Sequence, residues 1–198
     1  GGVFKATEGL TDRFGADRCF TAPIAESSII GCAIGMSATG FKPLPEIQFA
    51  DYIHPAFNQI VSEAARISYR SDGRWNVPIV IRTPYGAGIH GAQYHSQSVE
   101  SFYTHVPGLK VVVPSTPADV KGLYHAAVED PDPVLIFENG SMYPVEGELA
   151  ADAGWDGAVR QDPGDYLYVV ESNVSPTSNA APAASPTTSA ATILNLRM

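Results

Sequence analysis

A chain of 198 residues with 44% hydrophobic side chains and a net charge of −9, from 12 basic against 21 acidic residues, supplies one globular core plus an appendage, not two complete domains. The basic residues are scattered among acidic ones, which argues against nucleic acid as a partner, and no run approaches the about 18 consecutive apolar residues of a membrane span. Cys19 and Cys32, the two cysteines, each lie in an apolar stretch with no CxxC pairing or histidine cluster nearby, so zinc and a disulfide framework are not indicated, and buried reduced thiols are expected, which suit an intracellular compartment.

Helical periodicity alternates with short Val-, Ile- and Phe-rich runs from residue 3 to about 138, an alternation that predicts a parallel sheet with helices on its faces. The chain opens Gly-Gly-Val without Met and without a basic segment leading into an apolar one, so it reads as untargeted and as starting inside a longer frame. A helix is expected over 3–13, a strand over 18–22, and a second helix over 26–39 that Gly40 stops. Ser27, Ser28, Gly31, Ala33, Gly35 and Ser37 make that second helix narrow enough to lie close to another backbone.

A strand over 44–49 precedes a helix over 55–70, whose inward face carries Ala56, Ile60, Ala64 and Ile67 and whose first turn takes Pro55. The apolar run 77–82 predicts a central strand that feeds a glycine-rich segment over 84–95. A short helix over 98–105, a strand over 109–113, a helix opened by Thr116 as N-cap and Pro117 at its first position, and a strand over 133–138 complete the series. Composition changes beyond about 150, and 172–192 is almost entirely Ser, Pro, Ala, Thr and Asn, which predicts a disordered tail.

Three polar or aromatic clusters follow predicted strands: Ala25-Glu26-Ser27, Gln48-Phe49-Ala50-Asp51-Tyr52 and His95-Ser96-Gln97-Ser98. Ligands of open parallel sheets bind beyond the carboxyl ends of the strands, where these clusters can converge. Each also has a plainer reading. Glu26 is what a first-turn acid favoured by the helix dipole looks like, Phe49 and Tyr52 are what core or rim aromatics look like, and His95 is equally a loop histidine. The segment 85–91 has three glycines but neither the GxGxxG nor the P-loop spacing, so nucleotide binding is not supported, and Ser96 lacks the GxSxG elbow of a hydrolase.

Taken together, Pro23-Ile24-Ala25-Glu26-Ser27, Glu46-Ile47-Gln48-Phe49-Ala50-Asp51-Tyr52, His95-Ser96-Gln97-Ser98 and Pro107-Gly108-Leu109-Lys110-Val111-Val112-Val113-Pro114-Ser115 resemble, in order, the beta subunit of the decarboxylating component of 2-oxo acid dehydrogenases of the pyruvate, branched-chain and acetoin types. The resemblance covers about 1–150. It implies a three-layer α/β fold, a transketolase-like pyrimidine-binding domain for thiamine diphosphate, followed by a residual linker over 151–171 and the low-complexity tail over 172–198.

The resemblance further implies that Glu26 hydrogen-bonds the aminopyrimidine ring nitrogen and so promotes the imino tautomer that removes the thiazolium C2 proton. Phe49 would stack on the pyrimidine with Tyr52 near it, and His95 would face the reactive end of the cofactor and assist decarboxylation or acyl transfer to lipoamide. Some relatives hold a structural potassium ion through main-chain carbonyls and an acid, for which the matching positions are Ile79, Ala127, Val128, Asp130 and Asp132.

The diphosphate and Mg²⁺ call for a Gly-Asp-Gly motif followed downstream by Asn, which this sequence lacks. That half of the site is therefore expected from an alpha subunit in a heterotetramer with two beta chains, working on a 2-oxo acid with a lipoyl-bearing acyltransferase core. The family's first helix and strand, ending in Gly-Glu-Asp, are absent, and the tail stands where its C-terminal domain follows, so the N-terminal side of the sheet is expected to be incomplete. A non-catalytic truncated fragment and another enzyme of the transketolase group are the alternatives. The family implies bacterial cytoplasm or, in a eukaryote, the mitochondrial matrix.

Overall fold

The computed structural model describes residues 2–147, 167–172 and 192–194. Eleven helices and strands frame the chain: α1 (Leu10–Phe14), β1 (Cys19–Ala22), α2 (Glu26–Ala38), β2 (Lys42–Pro45), α3 (Ile67–Arg70), β3 (Val80–Tyr85), β4 (Lys110–Val113), α4 (Pro117–Glu129), β5 (Val134–Asn139), β6 (Leu167–Ser172) and β7 (Thr192–Leu194). β6 lies between β1 and β2, parallel to both, with Cys19 opposite Val169 and Leu44 opposite that same residue. The second group runs β3-β5-β4 in parallel and ends on the antiparallel β7. A parallel bridge between Glu46 and Arg82, with the Ile47 N–H donating to the Arg82 carbonyl at 2.9 Å, joins the two groups side by side.

Alternation along the strands sorts apolar residues to two faces, as the period of two requires. Ile79, Ile81, Val111, Leu135 and Phe137 face one cluster, built with Ile29, Ile30 and Ala33 of α2 and with Ala56, Ile60 and Ala64. Val80, Val112, Val134 and Ile136 face the other, against Ala127 and the half-buried Leu123 and Tyr124 of α4 and Leu10 and Phe14 of α1. Helices on both faces of a mainly parallel sheet make the expected three layers.

Several boundaries depart from the sequence periodicity. The helix expected over 3–13 is confined to Leu10–Phe14, because Lys5 and Gly9 at φ 57° and 82° turn the chain before it. The strand expected over 44–49 starts earlier, at Lys42, and beyond Pro45 keeps only the Glu46 bridge. The helix expected over 55–70 breaks into a 3₁₀ turn at His54–Ala56, a π-helical turn at Gln59–Ala64, in which the Ala65 N–H reaches the Ile60 carbonyl at 3.0 Å, and α3. Ala56, Ile60 and Ala64 are buried as the spacing predicts, but the π turn shifts the phase and leaves Ile67 half-buried. Of the helix expected over 98–105 only a 3₁₀ turn at Glu100–Phe102 forms.

The linker and tail expected after 150 contain two strands. Leu167-Tyr168-Val169-Val170 and Thr192-Ile193-Leu194 are runs of strand-forming residues, and they pair as β6 and β7. The rest of that stretch, 148–166, 173–191 and 195–198, lies outside the described residues, as does the first residue.

Two features lock the frame. Gly108, at φ 84°, lies so close to the C-terminal end of the π turn that a Cβ there would stand 1.9 Å from the Ala65 carbonyl oxygen, so no other residue fits. Arg82, 3% exposed, bonds Glu46 on one side and Glu138 Oε2 at 2.6 Å on the other, while the Tyr124 and Tyr143 hydroxyls donate to Glu138. A single guanidinium thus ties the end of β2, β3, β5 and α4 together.

Candidate active site

Because β1, β6, β2, β3, β5 and β4 are parallel, their carboxyl ends share one edge. Glu26 follows β1, the 49–52 turn follows β2, the 86–97 loop follows β3, and the 140–143 turn follows β5. β1 and β2 flank β6, so their carboxyl ends lie two strand positions apart along that edge.

Glu26 is the first residue of α2 and is 9% exposed, and among the described residues its carboxylate has no hydrogen-bond or ion-pair partner. A carboxyl that burial penalises and no neighbour satisfies is suited to an outside donor. The helix N-terminus favours its charge.

On the far side of β6, Phe49, Tyr52 and His95 meet. The His95 ring stands edge-on to Phe49 at 4.6 Å between centroids, and its Nε2 is 3.1 Å from the Tyr52 hydroxyl. Its Nδ1 is buried without a partner and faces Gly91, where a Cβ would come within 2.5 Å of it. Phe4 stacks on Tyr143 at 4.7 Å and meets Phe49 edge-on at 5.8 Å, while Tyr94 stacks on Tyr52 at 6.2 Å. The result is an aromatic cluster around one imidazole, at the same edge of the sheet as the Glu26 carboxyl.

Of the expected site residues, Phe49, Tyr52 and His95 are in direct contact, and Glu26 shares their edge of the sheet without touching them. Phe4, Tyr94 and Tyr143 went unread, since single aromatics in loops carry no periodic signal. Asp51 was visible only as part of a motif, yet its carboxylate accepts the His95 N–H at 2.8 Å and the Gln97 N–H at 3.3 Å.

Asp130 and Asp132 do converge, but on Lys110, whose ammonium lies 2.6 and 2.7 Å from the Asp130 oxygens and 3.1 Å from Asp132. The Ile79 carbonyl accepts the Val134 N–H at 3.0 Å, the Ala127 carbonyl accepts the Asp130 N–H at 3.3 Å, and Val128 is packed beside the α4 cluster. The Asp130 and Asp132 side chains are thus already neutralised by the Lys110 ammonium. Among the described residues, no cluster of His, Cys, Asp and Glu has an arrangement that holds a metal. No helix among them is long and apolar enough to cross a membrane.

A mainly parallel α/β sheet with its polar and aromatic side chains gathered at one carboxyl edge defines a ligand-binding domain of the open-sheet class. Residues 1–146 match the transketolase pyrimidine-binding domain, and the chain belongs to that family. Membership implies thiamine-diphosphate dependence. The chain is 58% identical over 153 residues to the beta subunit of 2-oxoisovalerate dehydrogenase from Bacillus subtilis, covering 77% of this chain and 47% of that protein. It is 56% identical over 144 residues to the mitochondrial counterpart from Dictyostelium discoideum, covering 72% and 39%. Against the beta subunit of pyruvate dehydrogenase from Bacillus subtilis, identity is 47% over 143 residues, covering 72% and 44%. The chain thus spans less than half the length of these curated relatives. A split-gene transketolase solved as an inactive tetramer superposes with a TM-score of 0.50 at 24% identity, over 67% of this chain and 40% of that one, a likeness of fold.

Proposed function

We propose that the chain is the pyrimidine-binding part of the beta subunit of a 2-oxo acid dehydrogenase, catalysing oxidative decarboxylation with acyl transfer to a lipoyl group. The observation that carries this reading is the buried Glu26 carboxyl, without a partner among the described residues, at the same sheet edge as the Phe49–Tyr52–His95 cluster. A flat ring with a weakly basic nitrogen and an exocyclic amine offers that carboxyl a hydrogen-bond partner and those aromatics a face.

In this reading Glu26 shares a proton between its carboxyl and the ring nitrogen, held at the start of α2 beside Ile29 and Ile30. Phe49 and Tyr52 confine the ring and keep water from its face. His95, oriented through Nε2 by the Tyr52 hydroxyl, delivers or removes a proton at the reacting carbon's substituents. Thiamine diphosphate, when bound, supplies the electron sink that lets a 2-oxo acid lose carbon dioxide. Its diphosphate and Mg²⁺ are assigned to an alpha subunit, so the working enzyme is a heterotetramer that passes its acyl group to a lipoyl-bearing acyltransferase core.

The test is to combine the chain with a cognate alpha subunit, thiamine diphosphate and Mg²⁺ and to follow carbon dioxide release from pyruvate and from branched-chain 2-oxo acids. Turnover that disappears in Glu26→Ala while the complex still assembles supports the reading. Absence of both complex and turnover in the parent chain sinks it, and leaves the non-catalytic fragment in its place.

A further inference from the structure

Asp51 is 6% exposed, and among the described residues no cationic side chain pairs with it. Its two oxygens are spent instead on the backbone N–H groups of His95 and Gln97, at 2.8 and 3.3 Å. A carboxylate is costly to bury, and hydrogen bonds to a charged acceptor are the stronger kind. What these two bonds hold is a strained point, since His95 has φ 74°. Ala87, His90 and Ala92 in the same loop also have positive φ.

Apart from the contact between His95 Nε2 and the Tyr52 hydroxyl, the other hydrogen bonds of the loop run within it: His90 N–H to Ser96 Oγ at 2.9 Å, Tyr94 N–H to the Gly91 carbonyl at 3.2 Å, Gln97 Nε2 to the Gln93 carbonyl at 3.3 Å, and Gly86 N–H to the Gln97 carbonyl at 3.4 Å. The 49–52 turn therefore grips His95 from three sides, with Phe49 against the ring, Tyr52 on Nε2 and Asp51 on the backbone.

We propose that Asp51 is the positioning residue of the site, its carboxylate clamping the 95–97 backbone so that the His95 imidazole is set against Tyr52 and Phe49 before any cofactor or partner arrives. The consequence for turnover rests on the proposed role of His95; the clamp itself does not.

Amide hydrogen exchange and imidazole proton shifts, measured by NMR on the whole chain without ligands, test it. Asp51→Asn and Asp51→Ala should speed exchange at the His95 and Gln97 amides by about 10- to 100-fold, the loss expected for hydrogen bonds to a charged acceptor, while β3 and β5 amides stay within about twofold. The His95 ring protons should lose the ring-current shifts that Phe49 and Tyr52 impose. Protection retained at both amides in Asp51→Asn, or unmoved ring signals, overturns the clamp.

Gly91→Ala keeps the question open should the Asp51 variants unfold, because it pushes the ring from the other side and leaves the carboxylate alone. Ring signals should then shift with both amides still protected, and amides that lose protection with the ring overturn the assignment to Asp51. In the assembled enzyme, Asp51→Asn should lower kcat about tenfold or more with KM nearly unchanged, the mark of lost geometry in the chemical step. Unchanged turnover in Asp51→Asn beside a crippled His95→Ala overturns the positioning role. Unchanged turnover in His95→Ala, with the amides released by Asp51→Asn, instead rejects the acid–base role of His95 and leaves the clamp standing.

Discussion

Glu26 is a residue that the fold has little reason to keep. Buried at the start of α2 with no partner among the described residues, its carboxylate costs solvation and gains only the helix dipole. Glu26→Gln should therefore leave the thermal midpoint unchanged or raise it, corresponding to about 0–1 kcal/mol of added stability, even as it removes the group the proposed chemistry depends on. A lower midpoint would mean that the carboxylate stabilises the chain through a contact it does not make here. That Glu26, Phe49, Tyr52 and His95 lie beyond strand ends at one edge of the sheet was legible from the apolar runs that precede them. Asp51 was not assigned a role, since a carboxylate that binds backbone N–H groups far along the chain leaves no spacing to read.

Elements whose boundaries rest on local chemistry were the easiest to foresee. Thr116 caps α4 as expected, accepting the Asp119 N–H at 3.1 Å, with Pro117 at the first helical position. Thr116→Ala should cost about 1 kcal/mol, measured by denaturant unfolding with the slope unchanged. The 54–70 segment was harder: its inward residues Ala56, Ile60 and Ala64 fit a regular helix, and the π turn that breaks it shows in the backbone hydrogen bonds, not in the apolar spacing. Gly108 marks the cost of that compactness. Gly108→Ala should destabilise by at least about 2 kcal/mol, since it meets both a disfavoured φ and the Ala65 carbonyl, and a variant with parental stability would rule out the close approach.

For the whole molecule, the Arg82 centre is the main electrostatic commitment. Burial pushes the Glu138 carboxyl up, but the Arg82 charge and the hydrogen bonds from Arg82, Tyr124 and Tyr143 outweigh it and hold the group below its ordinary value. A depressed carboxyl contributes stability above its unfolded value and loses it as pH falls through the folded one. Unfolding midpoints should thus drop on acidification below the usual glutamate range, and Glu138→Gln should flatten that slope while lowering stability near neutrality. An equal slope in both chains would remove Glu138 from the account. The three-layer sheet was visible in the alternation of strands and helices, whereas strand order was not, because nothing local in Leu167–Ser172 says that its place is between β1 and β2.

That place has a kinetic meaning. A sheet whose inner strand comes from far downstream cannot close while the chain is still emerging from the ribosome. β1 and β2 are made early and must wait, edges unpaired, until Leu167–Ser172 follows. The β3-β5-β4 half can assemble first, carrying the His95 loop with it. The Glu26 side would then be the last part to form, and a chaperone or an assembling partner would first meet this protein as half a sheet with an open slot.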